Sequence, residues 1–338
     1  MYDFIYLIYL LIPMFMIIMG FLSLNLGAML ISDCATVVAK RSGFSRFIIG
    51  MLVVSTLAAL PEVLISISAL SKSAPSLALG NAIGSHIVNI SFIIGLSAVI
   101  MPLIIRKEMI TRDAVFLLTI TLVSSALILD GNLAFIDGIV LCLLFIPYLV
   151  NLITTRRALT KVEIKEAMKE VRVELKLIGH LTGKKITVRA GMIWLIGGIF
   201  LAVVGAEFVT RGGIEICEKF RISQWFVGIS IVAIGGSSPD IMAAYHAARK
   251  GMTDLALAIG IGASTFTFLL TIGIVGILGS LFPVRYELSS IIPTVIAMNI
   301  LTLLLVLFMI SGYKLSRLEG GILLSGYIIY IVLDLFLF

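Results

Sequence analysis

Runs of about twenty apolar residues recur along this chain from one end to the other, each as long as a helix that crosses about 30 Å of hydrocarbon. Such a chain belongs in a bilayer, where only helices or closed barrels satisfy their own backbone. Ten runs are read here, at about 4–28, 47–71, 76–101, 113–130, 133–155, 190–211, 223–248, 252–281, 288–311 and 319–337. A mean hydropathy of +1.17, with 13% charged residues, excludes an ordinary soluble domain. The expected fold is all-α and integral to the membrane, with ten transmembrane helices.

The net charge of +6 would point to nucleic acid in a soluble protein, but here the basic residues sit between the runs. With the N-terminus outside, 20 of the 25 Lys and Arg fall in inner connections, ten of them within residues 156–189. The positive-inside rule therefore predicts a multi-pass protein of the cell membrane with both termini outside and no nucleic-acid partner. The opening MYDF lacks the basic start of a signal peptide, so the first run reads as a span. Cys34, Cys142 and Cys217 stand alone in or beside apolar runs and read as packing residues.

A shift of 178 residues lays the second half of the chain on the first without a gap from residue 26 to 95. Gly27 and Ala28 fall on Gly205 and Ala206, Gly50 on Gly228, Pro61 on Pro239, Gly84 on Gly262, and Glu62 on Asp240. Each copy holds five runs, and an odd number makes the second copy enter the membrane from the opposite side. The expected organisation is two inverted repeats, 1–155 and 190–338, joined by a cytosolic linker at 156–189. Inverted repeats with interrupted helices are a secondary-transporter signature, although recurring small residues also serve plain helix packing.

Both copies place a proline and an acid side by side in an apolar run. Pro61 deprives the Leu57 carbonyl of its usual partner and Pro239 does the same to Gly235, so the second and seventh spans are expected to be broken. Freed carbonyls and a carboxylate inside lipid need protein, water or an ion to satisfy them. Two carboxylates with such carbonyls make an all-oxygen site for a hard metal ion. The third span adds Asn81, Ser85 and Asn89 at i, i+4, i+8, with His86 beside them. The eighth span has Ile259, Ala263 and Thr267 at the matching positions, and Ser264, Thr267 and Thr271 form a second polar stripe. Each hydroxyl reads equally as a helix–helix hydrogen bond, and His86 as an interior hydrogen-bonded residue or a proton-sensitive one.

At these residues the chain resembles the sodium/calcium exchanger branch of the cation/calcium antiporter superfamily. The likeness is carried by ALPE (59–62) with ALGNAIGSHIVN (78–89), and more weakly by GGSSPD (235–240) with LALAIGIGAST (255–265). The resemblance implies that Glu62 and Asp240 are carboxylate ligands, Ser85 and Asn89 third-span ligands and Ser237 a seventh-span ligand, lining one cavity that holds calcium or sodium in turn. It also implies that the first and sixth spans slide or rock against a core made of the second, third, seventh and eighth. This chain departs from the family pattern at Ala58, Ala59, Gly236, Ala263 and Thr267, where hydroxyl, acidic or amide ligands are usual. Two central carboxylates balance one divalent ion, two sodium ions or two protons, which is the expected stoichiometry. Transported calcium with sodium ions or protons, and no cofactor, is the expectation; magnesium or another divalent cation is the alternative, less favoured for magnesium because it dehydrates reluctantly.

Ile164, Met168, Val171, Leu175 and Ile178 make a helical stripe in the linker, read as an amphipathic helix on the inner membrane surface. Glu207 and Asp33 are placed near span ends, at headgroup level. An intramembrane protease and a cation channel are the rival classes. No HExxH zinc motif occurs, and proteolysis does not require acids beside prolines in an inverted repeat.

Overall fold

The computed structural model describes residues 2–39, 59–154 and 188–337. The linker stripe, the first half of the second span and Leu57 with Ala58 lie outside them. The helices are α1 (Tyr2–Ala39), α2 (Leu60–Ser71), α3 (Pro75–Ile100), α4 (Met109–Ile128), α5 (Phe135–Thr154) and α6 (Val188–Phe220). They continue as α7 (Gln224–Gly236), α8 (Ser238–Arg249), α9 (Thr253–Leu278), α10 (Leu288–Gly312) and α11 (Arg317–Leu337). Among the described residues seven helices are long and apolar enough to cross a bilayer, and eight if α7 and α8, bent by 51° at their junction, form one span. Of the remaining two expected spans, α2 is a shorter apolar helix, and so is the apolar part of α5.

Two helices outrun the apolar segments that announced them. The first and sixth spans were expected to end near 28 and 211, whereas α1 continues to Ala39 and α6 to Phe220. Hydropathy follows the apolar side chains, whereas backbone hydrogen bonding defines the helix, and the two need not end together. At 1.5 Å per residue α1 is about 57 Å long, so it must tilt or project.

Burial separates a core from a periphery. In the spanning windows 78% of α3 and 72% of α9 is buried, against 28% of α1 and 33% of α6. α3 packs on α2, α7 and α9, while α9 also meets α2, α5 and α8. α1 and α6 lie against each other and turn Phe15, Ile18, Ile193 and Phe200 outward, as lipid-facing helices do. Their crossing depends on glycine. A Cβ at Gly27 would stand 2.5 Å from the Ala202 nitrogen, and one at Gly205 would stand 2.5 Å from the Leu24 nitrogen. Close backbone approach through small residues is how helices associate where no hydrophobic force acts between them.

Short extended contacts tie the connections. Leu103–Ile104 (β1) pairs antiparallel with Lys314–Leu315 (β2), joining the α3–α4 loop to the α10–α11 loop. Asn132 bridges Arg285 between the α4–α5 and α9–α10 loops.

Candidate cation site

The prolines act here as helix starters. Pro61 stands in the first turn of α2 and Pro239 in the first turn of α8, where a missing N–H costs nothing and the fixed φ favours the helix. Glu62 and Asp240 follow in the same first turns, so each carboxylate sits at the positive end of a helix that begins inside the apolar region.

The two starts meet. A Cβ on Gly236 would lie 3.6 Å from Glu62 Oε1, so the end of α7 closes directly on the α2 acid. Ser237 follows Gly236 directly, and Asp240 lies three residues further on, in the first turn of α8. Glu62 and Ser237 are fully buried; Asp240 is half-buried. A fully buried carboxylate such as that of Glu62 needs positive charge beside it, as a metal ion or a proton.

From α3, Asn81 donates to the Glu62 carbonyl and to Ser66 Oγ, both at 3.0 Å, which pins α3 to α2 and leaves Asn81 Oδ1 over. Ser85 Oγ and both amide atoms of Asn89 are buried without a partner. Asn89 lies in a π-helical segment, Val88–Ile93, whose wider turn re-aims it relative to Ser85. α9 contributes Thr267 and Thr271, also buried and unpartnered, while Ser264 is taken up by His86. Both Glu62 carboxylate oxygens and Ser237 Oγ belong to the same unpartnered set. Native interiors leave few such atoms, and Glu62 carries two of them against the end of α7; Asp334 on α11 carries two more.

Among the described residues no three His, Cys, Asp or Glu side chains cluster for a metal. The donors here are carboxylate, amide and hydroxyl oxygens, the set suited to hard cations. Cys142 and Cys217 are free thiols.

Three features differ from the sequence reading. The Gly235 carbonyl, expected to be orphaned by Pro239, accepts the Ser238 hydroxyl at 2.7 Å, because a serine at the helix start can turn back on the preceding turn. Glu207, expected at headgroup level, also has protein partners: Lys72 and Arg211 each approach it at 2.6 Å, and Ser68 donates at 3.0 Å. Asn25, not singled out in the sequence, donates to Ser238 Oγ at 3.4 Å and keeps a buried, unpartnered Oδ1 beside the α7–α8 break. An amide within the apolar first span was the available signal.

With this geometry in place, comparison with known proteins identifies the class. The model of the sodium/calcium exchanger protein family matches the chain twice, over residues 12–154 and 190–336, and the chain belongs to that family. Its members are membrane transporters and not enzymes. The chain is 27% identical to inner membrane protein YrbG of Escherichia coli, covering 92% of this chain and 93% of that one. It is 26% identical to sodium/calcium exchanger MaX1 of Methanosarcina acetivorans, covering 94% and 99%. A solved structure of the sodium-calcium exchanger NCX_Mj, soaked with 10 mM Na⁺ and zero Ca²⁺, superposes with a TM-score of 0.60 at 28% identity, covering 96% of this chain and 99% of that one.

Proposed function

We propose that this protein is a secondary antiporter of the cell membrane that exchanges one calcium ion for two sodium ions or two protons. The observation that carries the reading is the Glu62 carboxylate, fully buried in an apolar region with neither oxygen partnered, packed against Gly236 at the end of α7. In this reading Glu62 and Asp240 neutralise the ion, and Ser85, Asn89, Ser237, Thr267 and Asn81 Oδ1 replace its water. The Gly235 carbonyl keeps a second lone pair for the ion beside its bond to Ser238, and the Leu57 carbonyl is its expected counterpart in the first half. Family membership and the likeness to chains named as sodium/calcium exchangers support calcium as the substrate.

The architecture in this reading is ten spans in two five-span repeats of opposite orientation, 1–155 and 190–338, with residues 156–189 as an inner linker and both termini outside. A two-fold axis in the membrane plane brings equivalent residues together where it passes. Two pairs fit that requirement at the 178-residue offset of the repeat: Ser23 donates to the Leu201 carbonyl at 2.9 Å, and His86 bonds Ser264 at 2.7 Å. The glycines agree, since Gly20 closes on Gly205 as Gly198 closes on Gly27. Alternating access follows from sliding α1 and α6, the lipid-exposed glycine-paired helices, across the buried core.

The test is uptake of radiolabelled calcium into proteoliposomes under sodium and proton gradients imposed separately. Uptake driven by one of them, with no net current, is expected. Calcium flux that needs no counter-ion would mark a channel, and a voltage-driven current during exchange would overturn the stoichiometry.

A further inference from the structure

His86 is fully buried in α3 beside the candidate site, yet its ring is completely used. Nδ1 lies 2.7 Å from Ser264 Oγ on α9 and Nε2 lies 3.1 Å from Thr121 Oγ1 on α4, while the ring stacks on Phe268 with centroids 4.1 Å apart. The single hydroxyl hydrogen of Thr121 goes to the Leu117 carbonyl at 2.8 Å. With that hydrogen on Leu117, the Thr121 oxygen accepts from a ring protonated on Nε2, and Nδ1 accepts from the Ser264 hydroxyl; this tautomer satisfies all three contacts at once. In it one imidazole links α3, α4 and α9.

The surrounding polar residues behave differently. Ser85, Asn89, Thr267 and Thr271 keep buried polar atoms free, whereas His86, Ser264 and Thr121 consume theirs on one another. Asn89 stands three residues beyond His86, and Thr267 three residues beyond Ser264. The His86–Ser264 bond is therefore a contact of α3 with α9 one turn before Asn89 and Thr267, which keep buried polar atoms free.

We propose that His86 is a positioning residue, a neutral Nε2–H crossbar that sets the gap between α3 and α9 and thereby the size of cation that Asn89 and Thr267 can share. The size-selective role rests on the cation-site reading above; the tautomer does not. A planar ring with one donor and one acceptor at opposite corners holds both neighbours at fixed range, and the stack on Phe268 prevents it from turning. A shorter side chain would release the contact.

Two measurements test it. Nitrogen NMR of histidine-labelled protein in lipid bilayers at neutral pH, with His86 assigned among the three histidines by the signal lost in His86→Gln, reads the tautomer directly. A protonated Nε2 and bare Nδ1 are expected, with Ser264→Ala shifting the Nδ1 resonance; an Nδ1–H ring or an imidazolium overturns the crossbar whether or not the protein transports calcium. Competition among calcium, strontium and barium for uptake reads the gap. His86→Ala is expected to change the calcium-to-barium preference by at least about fivefold, with the maximal rate changing less. His86→Gln, which keeps a donor and an acceptor, is expected to restore most of that preference. Unchanged preference, or equal loss for all three ions, overturns the role in selectivity. A wild-type protein that moves none of them sinks the antiport reading and the selectivity role with it, while the NMR result still decides the crossbar.

Discussion

The two halves of the chain agree at the α1–α6 crossing and disagree at the α3–α9 crossing. Gly20 and Gly27 serve α1 as Gly198 and Gly205 serve α6, each closing on the other helix's backbone. Around the acids the likeness fails. The first half supplies a fully buried carboxylate and a helix face of Asn81, Ser85 and Asn89; the second supplies a half-buried carboxylate and Ile259, Ala263 and Thr267. Packing that must work the same way from both sides has kept its symmetry, whereas a single cavity needs one set of ligands and either half can provide it.

The strongest way to break this comparison is to neutralise each acid in turn. Removing one partner of a buried charge contact costs about 3–5 kcal/mol, so Glu62→Gln and Asp240→Asn should each cut calcium uptake by about 100-fold or more. Near-normal uptake in either variant would remove that acid from the mechanism. The neutral ligands should be unequal. Asn89→Ala loses contacts to a charged ion worth about 1.5–3 kcal/mol and should weaken apparent calcium affinity by roughly 10- to 100-fold. Thr267→Val, which loses a single hydroxyl, should cost roughly fivefold. Equal effects in a calcium titration of uptake would show that the site is not lopsided.

The crossing should behave in the opposite way. Gly27→Leu and Gly205→Leu each push a side chain into backbone and should destabilise the protein by about 1–3 kcal/mol, and by similar amounts, as read by thermal unfolding in detergent. A large difference between them would refute the symmetry of that contact. The smallest effect is expected at Glu207, which is 33% exposed and paired with Lys72 and Arg211. Glu207→Gln should shift stability by less than about 1 kcal/mol in the same assay.

Much of the site was legible before any coordinates, because lipid makes exceptions conspicuous. Glu62, Asp240 and their prolines stand out against apolar surroundings, and a broken span at the α7–α8 junction follows from Pro239. The i, i+4, i+8 spacing located Asn81, Ser85 and Asn89 on one face, and all three are buried beside the acid or along the same helix. Other features had no local signal. The π-turn at Asn89 depends on how α3 packs, and the bond from Ser238 to Gly235 depends on a rotamer. The ion pair of Glu207 with Lys72 depends on how α2 and α6 meet, which no local pattern shows.

The sequence by itself determined that this chain is an integral membrane protein, and it pointed to Glu62 and Asp240 as acids in apolar surroundings, since both follow from transfer energetics. Only the tertiary structure decided which polar atoms are consumed and which are left for an ion. His86, Ser264 and Thr121 look no different in sequence from Ser85, Asn89 and Thr267. The distinction lies in distances between helices that are far apart along the chain, and no local pattern encodes a distance across a packed interface.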